Sequence, residues 1–255
     1  KSVCLPKTAW PPTLCLYEEN PRIDFKTEVD WQERQKLLKT SFPVDVRAVD
    51  ARFDIQDGNI RRPITRNTSW EAAKFEVAAH KWVDLWETGY GMAVLNDCKY
   101  GISMNENALE LTLLRAAAAP EMHADNREHH FTYAFTAWEG SFADSDVVRQ
   151  GYELNVKPVV TNGTADAFSL FDVEKNNVIL ESVKLAEDGS GDLILRLYES
   201  RKAAVQTALS TSLPIAKAWS CTMLEEKEEE LMVENYSISL DFRAFEIKTL
   251  RLKLA

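Results

Sequence analysis

The segment FEVAAHKWVDLWETGYGMAVLNDCKYG, residues 75–101, combines a histidine, four acids, a cysteine and two tryptophans. Side chains of these types can bind a metal, transfer protons or hold a sugar. Which of these they do depends on the backbone that carries them. In a helix, His80 and Asp84 lie one turn apart and could share a metal ion. In a strand they lie about 13 Å apart, which is too far to bind one ion.

Alternation along residues 75–86 favours the strand. The odd positions are apolar apart from Lys81, whose aliphatic stem can cover apolar surface. The even positions carry acids, His80 and two indoles. This period of two predicts a strand with one buried face and one amphipathic face. ETGYG then supplies a turn and MAVLNDCKYG a returning strand, so the sequence predicts a β-hairpin.

The amphipathic face of this strand has two interpretations. Glu76, His80 and Asp84 form a row flanked by Trp82 and Trp86. Indole faces cover the C–H surface of a sugar while acids accept its hydroxyls, so the row could line a sugar groove. Alternatively, the indoles pack beneath a neighbouring sheet and the acids pair with Lys or Arg. The sequence leaves both interpretations open.

Other candidates for chemistry are weaker. EMHADNREHH, residues 121–130, contains His123, His129 and His130 beside acids, but the spacing matches no known set of metal ligands. We predict a polar loop between strands there. The sequence has no GxSxG, HExxH, GxGxxG or P-loop pattern. Its 40 acidic residues provide many carboxylate pairs, so no pair alone indicates a glycosidase.

The composition argues against several classes of protein. The net charge of −10, from 30 basic and 40 acidic residues, disfavours a general nucleic-acid binder. No apolar run reaches the roughly 18 residues of a membrane span. The four cysteines lie far apart and form no CxxC pair. A Cys4–Cys15 bridge is one alternative, but reduced thiols in a cytoplasm fit the spacing better.

Short alternating stretches recur along the chain, for example ALELTLLR, FTYAFTAW and YSISLDFRAFEIKTLRL. Many short strands bounded by Gly, Asn, Asp and Pro predict an all-β protein built from antiparallel sandwiches. Residues 144–155, DSDVVRQGYELN, are predicted to form a short helix. The alanines at 116–119 are expected to be a strand exit before Pro120, and the acid-rich run at 225–230 a solvated turn.

A change of composition at residues 156–168, VKPVVTNGTADAF, indicates a domain boundary. The strand pattern restarts beyond it with FSLFDVEKNNVILESVKLAED. We therefore predict a large β domain over residues 1–165 and a smaller C-terminal β-sandwich over residues 166–255.

Several segments also carry a family resemblance. They are IRRPITRNTSWEAAKFEVAAHKWVDLWETGYGMAVLNDCKYG, ALELTLLRAAAAPEMHADNREHHFTYAF, IDFKTEVDWQERQKLLKTSFPVDVR upstream, and ILRLYES and FRAFEIKTLRL downstream. In this order they resemble glycoside hydrolase family 38, the zinc-dependent retaining α-mannosidases, and its cytosolic and bacterial branch most closely. The resemblance runs from about residue 22 to the end of the chain.

The resemblance implies a fold and a division of roles. The corresponding part of these enzymes is a large antiparallel sandwich similar to galactose mutarotase, followed by a smaller one. The nucleophilic Asp, the acid/base carboxylate and the zinc ligands lie in N-terminal catalytic and helical domains that this chain does not match. We therefore expect no catalytic residue, metal ligand or cofactor in this chain, and no activity from it alone. The implied partners are those N-terminal domains and a mannose-containing glycan, and a homo-oligomer stays open.

The resemblance further implies that the β region walls one side of the substrate cleft. By order along the chain, a sugar-contacting Arg of the family falls on Arg115. A sugar-contacting Tyr falls near Phe75 or Glu76, where this sequence has no Tyr, so Glu76 or His80 is the expected substitute. Together with Trp82 from the row, the predicted substrate-binding residues are Arg115, Glu76, His80 and Trp82.

Two alternative functions need no missing domain. A free-standing carbohydrate-binding sandwich would use the face that carries Trp82 and Trp86, and the isolated chain would then bind sugar. A structural docking module would use the same indoles to bind another domain and would have no sugar affinity.

Overall fold

A computed structural model describes residues 12–105 and 107–255. The chain divides into two compact units between Pro158 and Val159, within the segment where the composition changes. The described chain is built from antiparallel β-sheets, as predicted. None of the helices in these residues is long and apolar enough to cross a membrane.

The first unit holds two sheets and two helices. Its strands are β1 (Thr13–Tyr17), β2 (Asn20–Trp31), β3 (Leu37–Pro43), β4 (Asp50–Ile55), β5 (Gly58–Pro63), β6 (Val77–Ala78), β7 (Trp82–Glu87), β8 (Tyr90–Asn96), β9 (Gly101–Asn105), β10 (Ala108–Arg115) and β11 (Arg127–Glu139). Its helices are α1 (Ser69–Ala73) and α2 (Val147–Asn155), with a 3-10 turn at Phe142–Asp144. The strand orders are β1-β2-β11-β8-β7-β4-β5 in a seven-stranded sheet and β3-β10-β9-β6 in a four-stranded sheet. The short helix expected over residues 144–155 is confirmed as α2.

The two sheets of this unit share one hydrophobic core. Because side chains alternate along a strand, Leu109 and Leu111 of β10 both point inward. There they join the buried cluster that contains Val83 of β7 in the other sheet. Phe25 of β2 also meets Phe42 of β3, with ring centroids 5.7 Å apart. Leu109, Leu111 and Val83 are fully buried, and each such side chain stabilises the fold by about 1.5–3 kcal/mol. The polar positions of the same strands consequently lie on the outer faces of the sandwich.

Helix α2 covers part of the outer face of the seven-stranded sheet. Gly151 lies so close to β7 that a Cβ at this position would be 3.0 Å from Trp82 Cδ1. Arg22 of β2 donates to the carbonyl oxygen of Gln150 at 3.0 Å. This bond ties α2 to a strand that lies beyond β11 from β8 in the sheet order. The same face remains open further along β2 and β11, where Lys26 is exposed.

The predicted hairpin is confirmed, but its first strand is shorter than expected. β7 and β8 pair around a turn in which Gly89 has φ +101°, a conformation that favours glycine. Residues Val77–Ala78 instead form β6 and pair with β9 in the other sheet. Between the two, the backbone N–H groups of His80 and Lys81 bond to Asp54. A continuous strand over residues 75–86 is therefore wrong, because the chain crosses from one sheet to the other.

The second unit is a smaller pair of sheets. Its strands are β12 (Phe171–Val173), β13 (Val178–Leu185), β14 (Leu193–Glu199), β15 (Val205–Thr211), β16 (Ile215–Cys221), β17 (Lys227–Leu231), β18 (Ser237–Phe242) and β19 (Ile247–Leu254). They form sheets in the orders β12-β15-β18 and β13-β14-β19-β16-β17. Leu195, Leu209, Leu240 and Leu250 belong to its core, which is separate from the core of the first unit.

Two smaller predictions have different outcomes. The alanines at 116–119 do follow the end of β10 and contain no helix, as expected. The acid-rich run at 225–230 is only partly the expected turn. Glu225 and Glu226 lie in the turn between β16 and β17, where Glu225 N donates to Thr222 O at 2.9 Å. Lys227–Leu231 instead form β17 at the edge of the five-stranded sheet. Charged side chains protect an exposed edge strand from pairing with other chains, which explains acids in a strand.

Candidate functional site

The outer face of the four-stranded sheet carries a group of polar side chains, the Lys39 cluster, made up of Lys39, Glu76, Ser103, Glu110 and Thr112. The Lys39 ammonium lies 2.6 Å from Ser103 Oγ, 3.4 Å from Glu76 Oε2 and 3.7 Å from Glu110 Oε2. Thr112 Oγ1 donates to Glu76 Oε1 at 2.7 Å, and Ser103 Oγ donates to Glu110 Oε2 at 3.0 Å. One ammonium thus bridges two partly exposed carboxylates, which leaves acceptor oxygens for a ligand hydroxyl.

Strand register brings this cluster together. Glu110 and Thr112 point outward because Leu109 and Leu111 of the same strand point into the core. Lys39 of β3 stands opposite Thr112, and Ser103 of β9 stands opposite Glu110. Glu76 directly precedes β6, on the far side of β9. Three neighbouring strands and the entry to a fourth therefore build one polar surface.

Arg115 lies at the end of β10 on the same face. It stands opposite Leu37, two residues from Lys39, and residues two apart on a strand share a face. The ladder shifts register between Thr112 and Leu114, which buries Leu114 and exposes Arg115. Within the described residues its guanidinium forms no ion pair. It lines a hollow of about 560 Å³ bordered by Gln35, Lys36, Leu37 and residues 116–119.

His80 lies apart from these groups, at the crossover between β6 and β7. Its ring meets the ring of Tyr100 edge-on at 5.9 Å, and its carbonyl accepts a bond of 2.7 Å from Asn96 Nδ2. Its N–H donates to Asp54 O at 3.0 Å. These contacts anchor the crossover, and the half-buried imidazole is not among the side chains around Lys39.

Trp82 has no surface to offer a sugar. Its side chain is 1% exposed and its ring packs 5.5 Å from the ring of Phe142. Gly151 of α2 covers its edge. The interpretation in which the indole packs beneath a neighbouring element is the one the structure bears out, although that element is a helix and not a sheet. We therefore remove Trp82 from the site.

Asp84 is completely buried in the same layer. Arg52 Nη1 donates to its Oδ2 at 3.1 Å, whereas Oδ1 has no hydrogen-bond partner among the described residues. Burial raises the pKa of Asp84 to about 7, against the attraction of Arg52. Burial likewise lowers the pKa of Arg52, whose guanidinium carbon lies 3.7 Å from the ring centre of Phe142. The row predicted from Glu76 through His80 to Asp84 is therefore divided among three environments.

The histidine-rich stretch is partly loop and partly strand. His123 lies in the turn before β11, while His129 and His130 lie on that strand. His129 Nε2 lies 2.8 Å from Asp125 O, and His130 Nδ1 lies 3.7 Å from Glu28 on the neighbouring strand. Nowhere in residues 12–105 and 107–255 do three His, Cys, Asp or Glu side chains group as metal ligands.

Comparison with known domains assigns the chain to a family. Residues 11–123 match the domain described as "Glycosyl hydrolases family 38 C-terminal domain". Residues 177–250 match the "Glycosyl hydrolases family 38 C-terminal beta sandwich domain". The two matches follow each other as the two units do. The chain belongs to the C-terminal region of glycosyl hydrolase family 38.

Relatives of this family 38 region are much longer proteins. Human "Alpha-mannosidase 2C1" is 42% identical over 242 residues, which are 92% of this chain but 23% of the relative. "Alpha-mannosidase G" of Dictyostelium discoideum is 35% identical over 94% of this chain and 23% of its own length. The chain thus spans about a quarter of the relatives it matches. An alpha-mannosidase structure from Enterococcus faecalis V583 shares the fold, with a TM-score of 0.78 and 17% sequence identity. The match covers 94% of this chain and 28% of the Enterococcus chain.

The sequence predicts only part of the Lys39 cluster. The alternation in ALELTLLR already places Glu110 and Thr112 on the polar face of one strand. Lys39 lies far away in the sequence, and no local pattern indicates that β3 pairs with β10. The sequence could therefore have nominated Glu110 and Thr112, but not the ammonium that joins them to Glu76.

Proposed function

We propose that this chain is the C-terminal β region of a zinc-dependent, retaining α-mannosidase and forms one wall of its substrate cleft. The observation that carries the proposal is the outer face of the four-stranded sheet. There Arg115 borders an open hollow and shares its face with the Lys39 cluster. The names of the human and Dictyostelium relatives support an α-mannosidase activity for the whole protein.

The roles of the residues follow from their chemistry. The planar guanidinium of Arg115 can donate to two neighbouring hydroxyls of a sugar or to a carboxylate across the cleft. Glu76 and Glu110 can accept hydroxyl hydrogens, because Lys39 compensates only part of their charge. Such contacts bind and orient a mannoside, and they break no bond.

The bond-breaking groups are expected upstream of this chain. Hydrolysis with retention needs a carboxylate nucleophile and an acid/base carboxyl on either side of the glycosidic bond. The two carboxylates of the Lys39 cluster are instead bridged by one ammonium on a sheet surface. The described residues do not fit zinc either, because they contain no set of three suitable ligands. We therefore expect the isolated chain to be folded and inactive.

A paired assay tests the proposal. The chain alone, and the chain with the upstream region of its gene restored, are each incubated with an aryl α-mannoside and zinc. Activity in the long form alone is the expected result, with the anomeric configuration of the product, read by NMR, showing retention. Hydrolysis by the chain alone would place the chemistry within these 255 residues. A long form that folds but hydrolyses no mannoside would overturn the proposed activity.

We also place the protein in the cytoplasm. Among the described residues, Cys15, Cys98 and Cys221 form no disulfide, while Cys4, the other cysteine of the suggested bridge, lies outside them. Burial and the neighbouring Asp97 carboxylate raise the pKa of Cys98 to about 11, so its thiol stays protonated and unreactive near neutral pH. Free thiols suit a reducing compartment.

A further inference from the structure

We propose that a groove on the outer face of the seven-stranded sheet binds a neutral sugar ring, with Tyr17 as its stacking platform. The groove, called here the Tyr17 groove, begins where α2 ends and has a volume of about 650 Å³. Its lining includes Lys26 and Glu28 of β2, His130 of β11 and Lys157, which follows α2. Its lining belongs entirely to the first unit.

Tyr17 is held in a fixed orientation. Its hydroxyl donates to Asp24 Oδ2 at 2.8 Å, and the guanidinium carbon of Arg22 lies 5.8 Å from its ring centre. The hydrogen bond to Asp24 raises the pKa of Tyr17, so the phenol stays neutral. The residue is nevertheless 44% exposed. A phenol ring that is anchored at its hydroxyl, lies beside Arg22 and remains partly exposed offers a rigid face to the C–H surface of a pyranose.

The anchor beneath Tyr17 is built into the fold. Arg22 and Asp24 are 7% and 2% exposed, and Arg22 Nε donates to Asp24 Oδ1 at 2.7 Å. Arg22 Nη1 also donates to Gln150 O at 3.0 Å on α2. The buried pair is hydrogen-bonded to the Tyr17 hydroxyl and to α2, so it holds the Tyr17 ring in place against the sheet.

The charge balance of the groove favours a neutral, hydroxyl-rich ligand. Three basic residues line it, Arg22, Lys26 and Lys157, against four acids, Asp24, Glu28, Asp97 and Glu153. A polyanion would meet the acids and a cation the bases, whereas hydroxyl groups can use both. Within the described residues, Lys26 and Lys157 form no ion pair and are free to donate. Glu28 is 78% exposed and lies 3.7 Å from His130, and Glu153 is 38% exposed and accepts from Arg149 Nε at 2.9 Å. Each carboxylate has further lone pairs with which it can accept a ligand hydroxyl.

The Tyr17 groove is separate from the hollow beside Arg115. Arg115 lies on the outer face of the four-stranded sheet, and the groove on the outer face of the seven-stranded sheet. The core of the unit lies between the two sheets. The sequence suggested a carbohydrate-binding face at Trp82. We place it instead at the Tyr17 groove, on the part of the same sheet that α2 does not cover.

The test is a titration of this chain with methyl α-D-mannopyranoside, in which binding is measured by saturation-transfer NMR and by calorimetry. We expect saturable binding that Tyr17→Ala weakens at least about tenfold, because the stacking face is lost. Tyr17→Phe retains the face and should bind more tightly than Tyr17→Ala. Tyr236→Ala, which removes a comparably exposed tyrosine from the second unit, should bind as the original chain does.

Several results would overturn the proposal. They are a failure to saturate, binding that survives Tyr17→Ala in a chain with an unchanged melting curve, or binding that is lost in Arg115→Ala but kept in Tyr17→Ala. The last result would assign the sugar to the Arg115 hollow and leave the proposed hydrolase function standing. Inorganic phosphate that binds in place of the sugar would also contradict it. If Tyr17→Ala does not fold, Lys26→Met provides a second test, since it removes a donor from an exposed position.

Discussion

At the scale of single residues, the clearest contrast is between Arg115 and Trp82. Both were nominated for sugar contact, one by order along a family pattern and the other by its side-chain type. The structure exposes Arg115 beside a hollow and buries Trp82 beneath α2. An aromatic residue is as useful in a core as in a sugar site, so its type alone does not separate the two. A strand-end Arg that forms no ion pair in the part of the chain that the structure describes has fewer structural explanations.

Arg115→Ala in the long form of the enzyme should lower kcat/KM by about ten- to a hundred-fold, the effect of losing one charge-assisted contact. The melting temperature should change little, because the guanidinium forms no ion pair within the described residues. Arg243→Ala is the control: it removes an 88% exposed guanidinium from the second unit, together with a surface ion pair to Glu246 at 3.5 Å that is worth little. Unchanged kcat/KM in Arg115→Ala would remove this residue from the cleft wall.

Buried Asp84 should make stability depend on pH. The unfolded carboxyl ionises near pH 4, whereas burial holds the folded pKa at about 7. As the pH rises from 4 to 7 the unfolded state loses its proton first, so the free energy of unfolding falls. Asp84→Asn removes this dependence.

Urea denaturation of both chains between pH 5 and 8 measures the effect. The stability of the original chain relative to Asp84→Asn should decrease by roughly 2–3 kcal/mol over this range. Asp30→Asn on the exposed face of β2 serves as the control and should show no such trend. A difference that stays constant with pH would mean that Arg52 keeps Asp84 ionised throughout.

At the scale of elements, the second unit depends on a buried carboxylate at the end of β14. Glu199 is 0% exposed. Its Oε1 accepts from Asn177 Nδ2 at 3.0 Å and from Arg201 N at 2.8 Å. Its Oε2 accepts from Ala203 N at 3.0 Å and from Phe245 N at 3.1 Å. One side chain therefore satisfies the backbone of the loops that follow β14 and precede β19.

Glu199→Gln should destabilise the second unit by about 3 kcal/mol, because an amide NH₂ replaces one acceptor and faces backbone donors. Hydrogen exchange followed by mass spectrometry should show faster exchange in β14 and β19, with the first unit unchanged. Glu228→Gln on edge strand β17 should shift stability by less than about 0.5 kcal/mol. Equal protection in the two variants would contradict the structural role of Glu199.

At the scale of the whole molecule, each unit closes a core of its own. The segment after Pro158 has neither helix nor strand up to residue 170, and Val159, Val160 and Phe168 are more than four-fifths exposed. Brief thermolysin treatment should therefore cut first within residues 159–168, since proteolysis concentrates in exposed chain. Mass spectrometry should find two fragments that resist further cleavage. An initial cut inside a strand of either unit would argue against two independent cores.

The sequence by itself determined the class of fold, the β7–β8 hairpin, helix α2 and the family, because alternation, turn residues and motif order are local signals. It also placed Arg115 at a strand end. The tertiary structure alone decided that the strand through His80 divides between two sheets, that α2 covers Trp82, and that Lys39 joins Glu76 and Glu110. Each of these depends on which distant strands pair, and strand pairing is set by the burial of whole faces, which no short stretch of sequence contains.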